Sequence, residues 1–428
     1  MSGIKQASLR KRFRHMLRHV FSCLPRQTRF SIYRAMIECD QDPDPRLELK
    51  VAESQEEIED CFKILHDAYV ASGFMKPAES GMRVTMYHAL PTTTTLCAKY
   101  DGRVVGTMSM IREGVFGFPL QSVFDLSDVR AKEGQIAEIS ALAVHPDFRK
   151  TGGAILFPLM KFMYEYCTEF FDTRHLVIAV NPERIELYES LLFFERLQER
   201  VVENYDFANG APAVGASLDL SRARGIFRQV YGRRRLSKNL YKYFVTLRLP
   251  NIKLPKRRYF TTNDPVLTPD TLDYFFNRRS DVFAKLDDRR KALLWSIYDQ
   301  PEYRRVLPML SGSPVAVHPM RRHQRFSLRC PAELRLTVND GERTLMLTVI
   351  EISLSGFQAT SKLAVPLHAD GVALIELGAE ERSVLNVAAV RHHRTDTVDF
   401  YGFKLVEPDA AWRRCVSALE TGHTAGDL

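Results

Sequence analysis

The sequence predicts a mixed α/β domain with flanking helices, a helical connector and a small all-β barrel, and three observations carry that expectation. Between residues 46 and 221, segments of strand and helix period follow one another in mixed order; between 222 and 313 strand alternation is absent; from 314 to 420 short strands recur at regular intervals. A length of 428 residues asks for two or three domains, and 45% apolar with 26% charged residues is the composition of globular material.

Residues 1–45 are expected to form a basic amphipathic helix and a linker. Leu9, Phe13, Met16, Leu17, Val20, Phe21 and Leu24 fall at helical spacing, with Arg10, Lys11, Arg12, Arg14 and Arg18 around the rest of the circumference. Such a helix either lies in an anionic membrane interface or docks its apolar stripe on the protein's own body. The Asp- and Pro-rich run 40–46 reads as the linker. After it the pattern predicts a strand at 47–52, a helix at 54–71, a hairpin turning at Asp101-Gly102, a strand at 137–144 and a helix from Gly152. A buried strand at 175–180, a helix opened by Pro182 and running to about Phe194, and two strands turning at Asn209-Gly210 complete the domain. In the connector, Thr268-Pro269-Asp270 is a helix-start signal. The barrel strands are expected at 332–338, 344–352, 372–378, 384–393 and 398–406.

The net charge of +8 is concentrated in two islands, nine Lys/Arg within 1–37 and thirteen within 221–260, neither containing an acid. The remainder holds 38 basic and 52 acidic residues, so an acidic body carries two cationic surfaces suited to anionic partners, unless they are simply solvated helix faces. Nucleic acid is not the expected partner, because no reading motif is present and aromatic interleaving is modest. Seven scattered cysteines without a CxxC pair fit a reduced, cytoplasmic compartment, with peripheral membrane contact through the first helix as an option. No apolar run approaches the roughly 20 residues of a membrane span, and no secretory signal is expected. His66, His88, His145, His392 and His393 lack metal-ligand spacing, so no metal is expected.

The strongest chemical signal is a strand running into Arg149-Lys150-Thr151-Gly152-Gly153-Ala154 and then a helix. Free backbone N–H groups at a helix start, glycine for close approach and an arginine for charge are what a phosphate needs. The Arg-x-x-Gly-x-Ala spacing resembles motif A of the GNAT N-acyltransferases. Residues 68–74, 106–110, 137–144, 180–189 and 209–215 resemble, more narrowly, the N-acyl amino acid synthases of the FeeM type. The resemblance implies a GNAT-fold mixed sheet and transfer of a long-chain acyl group from an acyl carrier protein or coenzyme A thioester to an amine, an amino acid in those relatives. It places the thioester arm on Ala141, Leu142, Val144, Arg149, Lys150, Thr151, Gly152, Gly153, Ala154 and Asn181. Amide formation needs a neutral amine and a proton for the departing thiolate: Glu138 is the candidate base and Tyr188 the candidate acid. The plain alternatives are an ion-pair role for Glu138 and a core role for Tyr188. Phe193-Phe194 departs from the Gly-Phe of the relatives and bears on the shape of that pocket corner. The cationic islands favour a carrier-protein donor over coenzyme A.

A second motif set lies in the barrel. Arg321 and Arg325 have Arg-x-x-x-Arg spacing with Arg322 between them, Ser353 and Gly356 have Ser-x-x-Gly spacing, and Gly402 follows in a late strand. Arginine forks pair phosphates and guanine edges, and small residues let a ligand lie on the barrel wall. This set resembles the PilZ domain, a six-stranded barrel that binds cyclic di-GMP. Glu351 stands where that family has Asp or Asn. The resemblances together imply an acyltransferase regulated by cyclic di-GMP. The alternative is a non-catalytic receptor for the dinucleotide that acts through protein or membrane contacts.

Overall fold

A computed structural model describes residues 23–149, 151–298, 300–310, 324–338, 341–394, 399–422 and 424. The expected helix at 7–24 lies almost wholly outside the described residues, as do Lys150, Arg321 and Arg322.

The first described helix, α1 (Arg26–Met36), is anchored by three arginines: Arg26 pairs with Glu189 at 2.7 Å, Arg29 pairs with Glu186, and Arg34 Nε donates to the Ser190 carbonyl at 2.8 Å. Next come β1 (Leu47–Val51) and α2 (Gln55–Ala71). Ser54 and Glu57 cap the first turn of α2 reciprocally, satisfying N–H groups that no helix can bond internally. Strands β2 (Thr93–Tyr100) and β3 (Arg103–Arg112) turn at Asp101-Gly102, both at positive φ as a tight hairpin requires. Then follow β4 (Gln135–Val144), α3 (Leu156–Phe170), β5 (Thr173–Val180), a short β6 (Glu195–Arg196), β7 (Val202–Tyr205), β8 (Ala211–Asp219) and α4 (Leu220–Tyr231).

These strands form one mixed sheet of order β1-β2-β3-β4-β5-β8-β6, with β7 on β8. Period-2 alternation buries both sheet faces. On one, Leu96, Met108, Ala137 and Leu176 pack with Leu159 and Phe162 of α3 and Phe227 of α4; on the other, Cys97 and Ile111 pack with Ile58, Phe62 and Leu65 of α2.

The helix expected from Gly152 begins at Leu156. Gly152 (φ 68°) and Gly153 (φ 94°) are both left-handed and cannot start a right-handed helix; a Cβ at Gly153 would meet the Phe157 ring at 2.5 Å. The helix expected to reach Phe194 is one turn (Ile185–Leu187) widened into a π turn (Tyr188–Leu192), and Phe193 stops it at φ 62°.

The described residues between 222 and 310 pack into the same two cores. Tyr231, Leu240, Tyr243 and Leu249 join the α3 side, and Leu272, Phe275, Phe276 and Phe283 join the α2 side. The extended segment after Leu247 bridges β1 in parallel: Leu49 N–H donates to the Asn251 carbonyl, and Lys253 N–H donates to the Leu49 carbonyl. A last connector helix, α5 (Asp288–Ile297), is capped by Asp287.

A buried polar cluster ties this segment down. The Asp264 carboxylate accepts from Arg112 (3.1 Å), from Arg257 and Thr94, and from the Tyr166 hydroxyl (2.7 Å), while Arg112 also lies 3.7 Å over the Phe171 ring. Its partners hold the carboxyl below the usual aspartate range against the opposing effect of burial. Asp264→Ala would leave two buried guanidinium groups without a counter-charge, so a loss of about 3 kcal/mol is expected in urea unfolding. A change under 0.5 kcal/mol would mean that solvent reaches the cluster.

The barrel comprises β9 (Phe326–Val338), β10 (Gly341–Ser353), β11 (Gly356–Ser361), β12 (Asp370–Glu376), β13 (Arg382–Arg394) and β14 (Asp399–Leu405), closed in the order β10-β11-β14-β13-β12-β9. Closure leaves no edge strand. Helix α6 (Ala410–Thr421) inserts Trp412 into the barrel core, its indole donating to the Ser353 carbonyl at 2.9 Å. Residues 258–262 join the two bodies: Tyr259 belongs to the barrel core, Phe260 N–H donates to the Leu377 carbonyl, Arg329 N–H to the Phe260 carbonyl and Thr262 N–H to the Ser327 carbonyl.

Candidate active site and effector site

The sheet opens beyond Glu138. β4 and β5 pair in parallel from Gln135↔Thr173 only as far as Glu138↔Val177. Beyond that point β4 stays with β3 to Val144 while β5 stays with β8 to Val180. From residue 139 on, the edge of β4 that faced β5 has no strand partner. A bulge at this place, with Ala141 at φ 53°, turns the local amides out of register.

A cavity of about 280 Å³ occupies the opening. Met160, Met163 and Tyr164 of α3 and Ala223 and Phe227 of α4 line it from one sheet face, and Tyr69 of α2 lines it from the other. The cavity therefore passes through the sheet between β4 and β5, bounded by Ile139, Ser140, Ala141 and Leu142 on one side and Ile178 to Asn181 on the other. Exposed Arg184 and Arg224 sit among its lining residues, and neither pairs with a carboxylate among the described residues.

Tyr188, Leu192 and Phe194 close the same cavity. The π turn from Tyr188 and the left-handed Phe193 set their direction. Phe193 is not part of the lining: its ring packs on Phe227 and Tyr231, with the Arg34 guanidinium 5.2 Å away. The departure from glycine therefore leaves the cavity corner open. Burial pushes the Tyr188 hydroxyl above the usual tyrosine range, so it is a proton donor at neutral pH.

Glu138 stands at the last paired position, and its side chain lies on the other face. Ile136, two residues earlier, packs with Phe118, Leu120 and Phe124, and Leu120 N–H donates to Glu138 Oε2 at 3.0 Å. The carboxyl is 1% exposed, no Lys or Arg among the described residues pairs with it, and burial pushes it up to about 8. Glu138 is not among the cavity-lining residues, although its neighbour Ile139 is, so base and acid candidates approach the opening from opposite sides.

Of the loop residues, Arg149 folds back, its Nε donating to the Val144 carbonyl at 2.7 Å, and Thr151 Oγ1 donates to the Phe148 carbonyl. The N–H groups of Gly152, Gly153, Ile155 and Leu156 have no acceptor among the described residues. The loop is thus an arc of open donors ahead of α3, although it lies outside the cavity itself. Ala141, Leu142 and Asn181 line the cavity. Ala154 lies in the turn leading to α3, its N–H donating to the Thr151 carbonyl.

In the barrel, Arg325, Glu351, Ser353, Gly356 and Gly402 all line one surface pocket of about 270 Å³. Ser353 Oγ donates to the Gly356 carbonyl at 3.0 Å, and a Cβ at Gly356 would stand 2.4 Å from the Phe403 carbonyl oxygen, so only glycine fits. Arg325 is engaged by Glu351. The pocket also contains Arg391, His393 and Lys404, which have no motif in sequence; period-2 placement on β13 and β14 brings them there. Among the described residues no group of three potential metal ligands exists, and no helix is long and apolar enough to cross a membrane.

Residues 60–219 match the family model described as N-acyl amino acid synthase FeeM. No curated protein matches the chain significantly. Among solved structures, FeeM, an N-acyl amino acid synthase from uncultured soil microbes, is 23% identical with a TM-score of 0.36 over 42% of this chain and 95% of that one. The CoA-dependent acyl-homoserine lactone synthase BjaI is 19% identical with a TM-score of 0.35 over 49% and 93%. The PilZ domain of YcgR from Escherichia coli, solved with c-di-GMP, is 16% identical with a TM-score of 0.21 over 24% and 92%. The chain therefore joins an acyltransferase-like domain that resembles the N-acyl amino acid synthases of the FeeM type to a six-stranded barrel that resembles PilZ domains.

Proposed function

We propose that the protein transfers a long-chain acyl group from a carrier-protein thioester to the amine of an amino acid, under the control of cyclic di-GMP bound at the barrel. The observation that carries the reading is the apolar cavity threading the gap between β4 and β5, with Tyr188 in its wall. The thioester arm would lie along the open edge of β4, its phosphate against the Gly152-Gly153 arc and its acyl chain among Met160, Met163, Leu192 and Phe227. Arg184 and Arg224 at the cavity, with Arg222 and Arg228 on α4, both exposed and without a carboxylate partner among the described residues, would offer an acidic carrier protein a cationic approach. Glu138 would take the ammonium proton, directly or through water, and the neutral amine would attack the thioester carbonyl. Tyr188 would protonate the departing thiolate.

The test is incubation of the pure protein with long-chain acyl carrier protein and pooled amino acids, read by mass spectrometry. An N-acyl amino acid is expected; hydrolysis alone, with every pool, would leave the chain as a dinucleotide receptor. Tyr188→Phe is expected to lower kcat about 30-fold with KM within twofold, because the lost hydroxyl acts only as the thiolate leaves. Equal falls in binding and turnover would give Tyr188 a packing role instead.

A further inference from the structure

On the α2 face of the sheet, next to Glu138, two buried polar groups lack the partners that burial demands. Arg83 is 8% exposed, and no carboxylate among the described residues pairs with it. Among the described residues its guanidinium makes one hydrogen bond, to the Phe207 carbonyl, and it stacks 4.3 Å from the Tyr69 centroid and 5.3 Å from that of Phe207. Tyr205 is 2% exposed, and its hydroxyl has no hydrogen-bond partner among the described residues. Buried cations are normally paired, and buried hydroxyls are normally bonded. Two exceptions side by side ask for a ligand that is both anion and acceptor.

We propose that Arg83 and Tyr205 form the binding site for the carboxylate of the acceptor amino acid. A carboxylate satisfies both groups at once: the guanidinium gains its counter-charge, and the hydroxyl gains an acceptor. The position suits the reaction. Tyr69, on which Arg83 stacks, lines the cavity where it emerges on this face, so the acceptor site adjoins the thioester site. Burial, and after it the nearby Glu138, hold the Tyr205 hydroxyl above the usual tyrosine range while Arg83 opposes them, so the proposed base and the proposed carboxylate anchor both lie within electrostatic reach of this hydroxyl. An α-amino acid held by its carboxylate at Arg83 would turn its ammonium group toward Glu138. An amine without a carboxylate would leave the cation unpaired, which makes the site selective for amino acids over simple amines.

The inference rests on the N-acyltransferase reading, and the experiment separates the two. The best acceptor amino acid from the pooled assay is compared with its methyl ester and its decarboxylated amine, in the wild type, Arg83→Gln, Arg83→Lys and Tyr205→Phe. The wild type is expected to prefer the free acid over both analogues at least 100-fold in kcat/KM. Arg83→Gln should lose that preference, falling about 100-fold on the acid while staying within threefold on the ester and amine. Arg83→Lys should restore part of it, and Tyr205→Phe should lose about fivefold on the acid alone. Activity on the ester and amine confirms that each variant is folded. N-acylation that occurs with the same acid preference in wild type and Arg83→Gln overturns the carboxylate site and leaves the enzyme reading intact; absence of N-acylation with every acceptor overturns both.

Discussion

Glu138→Gln is expected to reduce kcat/KM for amide formation about 1000-fold at pH 8, at the upper middle of what a positioned general base contributes. Glutamine keeps the shape and can still accept from the Leu120 amide, so the variant removes the proton acceptor and little else. The pH profile carries the sharper signature. Burial pushes the Glu138 carboxyl up to about 8, so only the ionised fraction can act, and the wild-type rate should climb to a plateau just above that pH. In the glutamine variant this limb should vanish, leaving only the ionisation of the acceptor amine.

Stability should move the opposite way. Between about 4.5 and 8 the folded protein holds a proton on Glu138 that the unfolded chain has released, so the native state binds more protons and stability falls as pH rises through that window. The slope is about 1.4 kcal/mol per pH unit for one group. Glu138→Gln should lack this contribution and be more stable than the wild type at pH 8.5, while the two differ little at pH 4. A variant that keeps activity within threefold, with the wild-type profile, would remove Glu138 from the chemistry and leave it a buried carboxylic acid.

The parts of this site that were legible in sequence are those fixed by local rules. Asp101-Gly102 and Asn209-Gly210 announce hairpins because their positive φ angles are costly for most residues, and both turns are in place. Strand alternation located β4, β5 and the barrel strands, since each buries a face. The Gly152-Gly153 pair marked the turn ahead of α3 but put the helix start four residues early, because glycine reads equally as close approach and as left-handed backbone. What stayed hidden depends on long-range packing. The π turns at Tyr188–Leu192, Lys242–Thr246 and Tyr274–Arg278 insert one residue per turn with no compositional mark. Arg83 is a lone arginine in an irregular segment, and its meaning comes only from Tyr69 and Phe207, the latter 124 residues away. The basic run 221–260 read as one cationic surface; in the fold Arg257 turns inward to Asp264 and Arg258 pairs with Glu381 at the surface, while Arg222, Arg224 and Arg228 stay outside.

Arg325→Ala is expected to weaken cyclic di-GMP binding at least 100-fold in titration calorimetry, and Glu351 decides how this should be read. Arg325 is the one described member of the Arg-x-x-x-Arg motif, and losing two charge-assisted hydrogen bonds to a phosphate or guanine edge costs about 3 kcal/mol. In the barrel Glu351 holds that guanidinium, and it also places a carboxylate in the pocket proposed for a dinucleotide with two phosphates. Binding must break or share this pair. Glu351→Gln, which frees Arg325 and removes the repulsion, is therefore expected to tighten binding about tenfold. In the Arg325→Ala background the same substitution should gain less, because only the repulsion is left to relieve. Arg325 also lines the cleft between barrel and acyltransferase domain together with Thr261, Asn263 and Asp264. Releasing it from Glu351 thus changes a side chain at the very segment that the buried Arg112-Arg257-Asp264 cluster clamps to the sheet. If wild type and Arg325→Ala give the same heat, the pocket does not take the dinucleotide through this arginine. If Glu351→Gln binds more weakly than the wild type, then the glutamate reads the ligand itself, and the ion pair is an arrangement that the bound state keeps.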